Sequence, residues 1–139
     1  MENHQEITVR AFIHAPVEKV WECWVTPADI IHWNNATSEW HTPFAVNNLY
    51  GGGTFLFRME AKDGSMGFDF EGTYQKVIPT EQIEYTIADG RKVKITFIST
   101  ESGVEVIETF EAEQINSLEL QQAGWQSILD HFKAYTESK

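Results

Sequence analysis

One carboxyl group in this sequence has neighbours that could give it a chemical role. Glu108 lies between Val106 and Phe110 in an alternating run typical of a β-strand, on the face that carries the apolar residues. On that face the carboxyl group would lose its hydration and its pKa would rise, which suits a general acid, a general base or a ligand anchor. A β-bulge would instead turn Glu108 towards solvent. We favour the bulge and keep Glu108 as a candidate ligand-binding residue.

The other chemically competent residues favour neither a metal site nor a catalytic triad. His32 and His41 have no cysteine or acidic partner at metal-ligand spacing, so each is interpreted as a hydrogen-bonded loop histidine. The serines at predicted turns lack a nucleophile elbow and a paired histidine, which argues against a hydrolase triad. Cys23 falls inside a predicted helix and is interpreted as an inert buried thiol. We therefore assign no catalytic residue, no metal and no cofactor.

Aromatic side chains are frequent enough to suggest an apolar pocket. The 139 residues include five Trp and nine Phe, more than a small core needs in order to close. Such a pocket would bind by shape and apolar contact, with Tyr85, His41 or Glu108 orienting the ligand. The alternative is a solid core in which the rings interlock without a void. The candidate ligand-binding residues are Trp33, Trp40, His41, Phe44, Phe55, Phe57, Phe68, Phe70, Tyr85, Phe97, Glu108, Phe110, Trp125 and Leu129.

A long amphipathic helix is predicted over residues 117–135. Its apolar side chains recur at steps of three and four residues, as on one face of a helix. Asn116 is the expected N-cap, with Glu119 three residues later in the capping-box position. Gly124 lies in the middle, where glycine costs roughly 1 kcal/mol relative to alanine, and we interpret it as a point of close backbone approach. The apolar stripe consists of Leu118, Trp125, Ile128, Leu129 and Phe132.

The rest of the chain predicts a sheet for that helix to cover. Between Thr54 and Glu111, alternating strands are separated by short turns, which favours antiparallel pairing. The elements predicted before them are a strand at 6–14, helices at 16–25 and 27–33, and an irregular stretch at 34–53 with a short strand at 39–44. The prediction is a single α+β domain over residues 1–139, in which a curved antiparallel β-sheet wraps around a long C-terminal helix and two short helices follow the first strand.

Composition narrows the range of partners and locations. The formal net charge is −11, from 10 basic and 21 acidic residues, which makes nucleic acid and anionic membrane poor partners. No apolar run approaches the ~20 residues of a membrane span, and the polar first residues show no signal peptide. The single cysteine rules out an internal disulfide and fits a reducing compartment. We expect a soluble cytoplasmic domain.

Several short motifs follow one another along the chain. They are Ile13-His14-Ala15-Pro16 before Val20-Trp21, Gly52-Gly53 before Phe55, Gly72-Thr73-Tyr74, Thr109-Phe110-Glu111 and Gln121-Gln122-Ala123-Gly124-Trp125. They are similar to the START-like, or SRPBCC, superfamily with its helix-grip fold, and most to the branch related to the activator of the heat shock protein 90 ATPase. The stretch Asn47-Asn48-Leu49-Tyr50 departs from the pattern, since many relatives carry an acidic residue and an arginine there. Relatives include ligand carriers, polyketide cyclases and enediyne self-resistance proteins, so the resemblance implies the fold and no single activity.

Three functions are compatible with this sequence. The first, which we favour, is binding of a small hydrophobic or aromatic molecule in an apolar cavity between the sheet and the C-terminal helix, entered near residues 34–50. The second is a co-chaperone-like protein-interaction module that acts through the outer surface of the sheet, so that chaperone association is possible but not favoured. The third is a polyketide cyclase-like or dehydratase-like enzyme, which needs a buried ionisable group facing the same cavity.

Overall fold

Seven strands and three helices build the fold of residues 5–139, the part of the chain described by a computed structural model. The strands are β1 (Glu6–Ile13), β2 (Trp40–Asn47), β3 (Thr54–Ala61), β4 (Gly67–Ile78), β5 (Gln82–Ile87), β6 (Lys92–Ser99) and β7 (Val104–Glu111). The helices are α1 (Val17–Val25), α2 (Pro27–Trp33) and α3 (Leu118–Ser138). The α+β prediction is confirmed, including the two short helices after the first strand and the long C-terminal helix.

All of these strands belong to one antiparallel sheet, in the order β1-β7-β6-β5-β4-β3-β2. Strands β2 to β7 follow one another as a meander, whereas β1 pairs with β7, so that Glu6 lies opposite Glu111. The first two strands of the chain therefore occupy opposite edges, and α1 and α2 connect them. The sheet curls into half a barrel, as expected of twisted strands, and α3 packs against it.

The core lies between the concave side of the sheet and the helices. Every second residue of β7 is buried, as the pleat of a strand requires. From α3, Leu129 and Phe132 are fully buried in the same core. The Phe132 ring contacts Trp24 of α1 and Trp33 of α2 edge to face, with centroids 4.8 and 4.9 Å apart. No helix in residues 5–139 is long and apolar enough to span a membrane.

The N-terminus of α3 differs from the prediction by one residue. Ser117, not Asn116, is the N-cap, and its Oγ accepts a hydrogen bond from the Leu120 backbone N–H at an N···O distance of 3.1 Å. Asn116 is held in the preceding turn because its backbone N–H and its side-chain amide both donate to the Glu113 carboxylate. The predicted cap, and the capping box with Glu119, are therefore wrong.

The stretch 34–53 contains a full edge strand where the sequence predicted only a short one. β2 pairs with β3 along its length, with a shift of register between His41 and Phe44. Pro43 lies inside this shift, a position that suits a residue without a backbone N–H. The irregularity interrupts the alternation on which a strand prediction depends, so the sequence shows less of the strand than the structure contains.

Gly53 and Gly124 differ in the space beside the backbone. A Cβ on Gly53 would lie 2.1 Å from the Asn48 carbonyl oxygen, so the chain passes close to this glycine. A Cβ on Gly124 would meet no heavy atom within 4 Å. The close approach predicted in the middle of α3 is therefore wrong.

Candidate functional site

A pocket of about 300 Å³ lies between the sheet and the three helices. β3, β4 and β5 supply most of the sheet side, while Trp24 of α1, Trp33 of α2 and Trp125 of α3 close the helical side. The lining is mainly aromatic and aliphatic, with few ionisable side chains. It consists of Trp24, Trp33, Asn34, Phe55, Phe57, Met59, Phe68, Phe70, Tyr74, Ile83, Tyr85, Arg91, Glu108, Glu113, Trp125 and Ile128.

Many of the predicted pocket residues come together around this space. They reach it because alternate positions of a strand share one face, so that residues two apart in β3 and in β4 project to the same side. Phe55 is the centre of the aromatic wall, with ring centroids 4.8 Å from Tyr85 and 5.0 Å from Phe57. The candidates in the lining are Trp33, Phe55, Phe57, Phe68, Phe70, Tyr85, Glu108 and Trp125.

Three other candidates are buried but lie behind the lining. Phe97 packs edge to face on Trp21 and Trp24, with centroids 5.3 and 5.9 Å away, and so fills the core under α1. Phe110 is covered by the ring of Trp125, which stands between it and the pocket. Leu129 is fully buried in the core. The sequence predicts that these side chains point towards the core. It does not predict whether each one borders the pocket or lies behind the residues that do.

The remaining candidates, all on β2, lie outside the lining. The Trp40 ring packs beside Phe68 at a centroid distance of 6.0 Å, and the His41 ring lies 4.0 Å from a Glu60 carboxylate oxygen. Phe44 is 50% exposed. Their strand is at the edge of the sheet and is interrupted by the bulge, so its aromatic residues do not converge on the space enclosed by α3.

Sequence reasoning missed several lining residues. Trp24 and Ile128 have helical spacing, which marks an apolar face without showing that the face borders a void. Arg91 follows the hairpin turn between β5 and β6, and Glu113 follows β7, so only the folded chain brings them to the pocket. The lining residues absent from the prediction are Trp24, Asn34, Met59, Tyr74, Ile83, Arg91, Glu113 and Ile128.

Glu108 faces the pocket from the middle of β7. It lies opposite Val9 of β1 and Ile95 of β6, in ladders that run without interruption along β7. The bulge that would turn it outward is therefore absent, and the favoured outward orientation is wrong. Its side chain is buried, the residue being 7% exposed, and burial raises the pKa of the Glu108 carboxyl to about 8.

Burial is the cause of the raised Glu108 pKa, and the carboxyl makes no ion pair or hydrogen bond with another described residue. The nearby Tyr85 hydroxyl has a pKa raised well above its ordinary value, first by burial and then by the Glu108 charge, whereas Arg91 opposes the shift. The Tyr74 hydroxyl donates to Asn47 Oδ1. Glu108 is thus an unpaired carboxyl in a wall of aromatic side chains.

The two other charged side chains of the lining, Arg91 and Glu113, have partners. Arg91 Nε donates to Asp89 Oδ2 at 2.8 Å. Glu113 Oε1 accepts from the backbone N–H groups of Ile115 and Asn116 at N···O distances of 3.1 and 2.6 Å. Within residues 5–139, no group of three or more His, Cys, Asp or Glu side chains could hold a metal ion.

Comparisons with known proteins agree with the fold. A family model described as Activator of Hsp90 ATPase homolog 1-like protein matches residues 14–137. The solution structure of an AHSA1-like protein from Aeromonas hydrophila is 44% identical, with a TM-score of 0.91 over 96% of this chain and 93% of that chain. A protein from Cytophaga hutchinsonii is 50% identical, with a TM-score of 0.81 over 99% of this chain and 94% of that chain.

More distant structures show the fold alone. A protein from Chromobacterium violaceum has a TM-score of 0.85 at 21% identity, over 96% of this chain and 98% of that chain. No curated protein matches the chain. The family model and the two nearer structures support the resemblance drawn from the motifs. The chain belongs to the family of Activator of Hsp90 ATPase homolog 1-like proteins.

Proposed function

We propose that this protein binds a small hydrophobic or aromatic molecule in the pocket between the sheet and α3. The observation that carries the proposal is a space of about 300 Å³ walled mainly by aromatic and aliphatic side chains. Ligand sites are typically apolar and about 300–1,000 Å³ in volume, so this pocket suits a small guest. A few polar groups on such a wall fix the orientation of the guest.

The walls favour binding because they are packed before a ligand arrives. Phe55 contacts Phe70 and Tyr74, with centroids 5.6 and 5.3 Å away, and Trp125 is stacked on Phe110. Rings held in this way lose little conformational freedom when a guest enters, which lowers the entropic cost of binding. A ligand would gain mainly by removing its own apolar surface from water.

The proposal is tested with N-phenyl-1-naphthylamine, an apolar fluorophore without a permanent charge. We expect saturable binding of about one molecule per chain, with a change in tryptophan emission because three tryptophans line the pocket. Ile128→Trp, which fills the pocket from α3, should weaken binding more than about tenfold. Ile98→Trp, on an exposed position of β6, is the matched control and should bind as the unaltered protein does.

Two results would contradict the proposal. One is emission that rises with fluorophore concentration without saturating. The other is equal binding by Ile128→Trp and Ile98→Trp, provided that circular dichroism shows both variants to be folded.

Glu108 favours a second candidate function, a cyclase-like or dehydratase-like enzyme that uses the same pocket. Such chemistry requires an ionisable group facing the guest, and a carboxyl with a pKa of about 8 is a competent proton donor at neutral pH. The test is mass spectrometry of a bound polyketide-like probe after incubation with the protein or with Glu108→Gln. A probe recovered unchanged from both would leave binding as the function.

A further inference from the structure

We propose that the pocket takes a lipophilic amine, a protonated amine on an aromatic or aliphatic body, with Glu108 as the residue that pairs with the ammonium group. The proposal deepens the function proposed above and rests on it. Three independent features of the described residues support it, namely the unpaired carboxyl, the aromatic lining of the pocket and the sign of the charge on the protein.

The first feature is the isolation of Glu108. Its carboxyl is buried in the pocket wall, and no ion pair or hydrogen bond within residues 5–139 offsets its desolvation. Within residues 5–139, the fully buried side-chain polar atom without a partner is Thr136 Oγ1 and not a Glu108 oxygen, so the Glu108 carboxyl keeps surface in the pocket that an N–H donor of a guest can reach. An ammonium group brings N–H donors and a positive charge, which together satisfy a carboxylate better than a neutral hydroxyl can.

The second feature is the aromatic lining. Trp24, Trp33 and Trp125 border the pocket from the helices, and Phe70 and Tyr85 border it from the sheet. The face of an aromatic ring is electronegative and attracts a cation, most strongly in tryptophan and when water is excluded. The same rings accept the apolar body of the guest, so one wall serves both parts of an amphiphilic amine.

The third feature is charge. Arg91 is the basic residue of the lining, and its guanidinium is already paired with Asp89. Glu108 and Glu113 are acidic, and the chain as a whole carries a formal net charge of −11. This field favours the approach of cations and opposes that of anions such as fatty acids.

Binding an amine would release a proton. Burial raises the pKa of Glu108 to about 8, so its carboxyl is mainly protonated in the free protein at pH 7. The carboxyl and the ammonium then give a carboxylate–ammonium pair, and the carboxyl proton passes to solvent. The titratable groups that line the pocket with Glu108 are Tyr74 of β4, Tyr85 of β5, Arg91 before β6 and Glu113 after β7, while α1, α2 and α3 line it with groups that do not titrate.

The experiment compares three probes with the same naphthalene body: 2-(2-naphthyl)ethylamine, 2-(2-naphthyl)ethanol and 2-naphthylacetate. Titration calorimetry at about pH 6.5, 7.5 and 8.5 should show amine affinity rising by up to about tenfold per pH unit and levelling off above pH 8. The alcohol should show no such rise. At pH 8.5 the amine should bind at least about tenfold more tightly than the alcohol, and buffers of different ionisation enthalpy should report proton release at pH 6.5.

Two variants test whether Glu108 is the residue responsible for the preference for the amine. Glu108→Gln should bind the alcohol within about threefold of the unaltered protein and lose both the amine preference and its pH dependence. Glu105→Gln, on the same strand but paired with Arg10 on the other face, should keep both. Thermal unfolding of each variant confirms that the fold is intact before the affinities are compared.

The outcomes separate the two proposals. If the alcohol or the acetate binds as tightly as the amine, or if Glu108→Gln keeps the amine preference, the amine assignment is wrong while the proposed binding function stands. If none of the three probes nor N-phenyl-1-naphthylamine binds saturably, both proposals are wrong.

Discussion

The indole ring of Trp125 lies flat on the phenyl ring of Phe110, with centroids 3.8 Å apart and planes 10° from parallel. This stack joins α3 to β7. One side of Trp125 therefore contributes to the core while the residue also borders the pocket. Trp125 is therefore part of both the core packing and the pocket wall.

Removing the ring should cost stability. We expect Trp125→Ala to lower the free energy of unfolding by about 3 kcal/mol, at the lower end for large-to-small core changes because Trp125 is only half-buried. Trp125→Phe keeps a ring on Phe110 and should lose less than half as much. Urea denaturation measures both, and equal losses would contradict a stabilising role for the stack.

The buried carboxyl of Glu108 should make stability fall as the pH rises. Its pKa is raised by burial from 4.5 to about 8, so between these values the unfolded chain has released a proton that the folded protein still binds. The free energy of unfolding should therefore fall by about 1.4 kcal/mol per pH unit relative to Glu108→Gln, which cannot ionise. Below pH 4.5 and above pH 8, the difference in free energy of unfolding between the unaltered protein and Glu108→Gln should not change with pH.

The comparison of protein and variant isolates this one group, since every other titrating residue is common to both. Urea denaturation at intervals of pH between 5 and 8 gives the two stability curves. Parallel curves would show that Glu108 is solvated in solution.

Glu137 should have the opposite effect. Its Oε2 accepts from the His14 backbone N–H at 2.8 Å and from Lys133 Nζ at 2.7 Å, and these contacts lower the pKa of Glu137 from 4.5 to about 2. The resulting stabilisation is fully present above pH 4.5 and is lost as the pH falls towards 2. Glu137→Gln should be less stable than the unaltered protein at pH 7, with a difference that vanishes near pH 2. Acid titration followed by circular dichroism checks this, and a difference that persists at pH 2 would point to lost packing instead.

Gly124→Ala should stabilise the protein. Alanine is favoured over glycine by about 1 kcal/mol inside a helix, and a Cβ at this position meets no heavy atom within 4 Å. Gly53→Ala is the contrasting variant and should destabilise, because its Cβ would lie 2.1 Å from a backbone carbonyl oxygen. Thermal unfolding compares the two, and a destabilised Gly124→Ala would mean that the space beside α3 is occupied in solution.

The sequence predicted the fold well wherever the apolar residues of an element recurred with a single period. The alternation of β7 specifies a buried face that the structure has. The helical stripe of α3 is confirmed at Leu129 and Phe132, which are buried, whereas Leu118 is 41% exposed. β2 was underestimated because Pro43 and the neighbouring bulge break its alternation. The cap of α3 was misplaced by one residue because both Asn116 and Ser117 are good caps, and the Glu113 carboxylate decides between them.

The site was less predictable than the fold. Periodicity assigned Glu108 and Phe110 to one face, yet Glu108 borders the pocket while Phe110 lies behind Trp125. That difference depends on where α3 crosses the sheet, which no local pattern records. Arg91 and Glu113 reach the pocket from connecting segments for the same reason.

The pairing of β1 with β7 has a consequence for how the protein is made. As the chain leaves the ribosome, β1 appears first, but its hydrogen-bonding partner is the last strand to be synthesised. Each of the strands β3 to β7 can pair with the strand before it as it emerges. β1 has no strand to pair with until β7 has been synthesised as far as residue 111. The slow step of folding should therefore be the pairing of this first strand with β7, followed by the packing of α3 against the sheet.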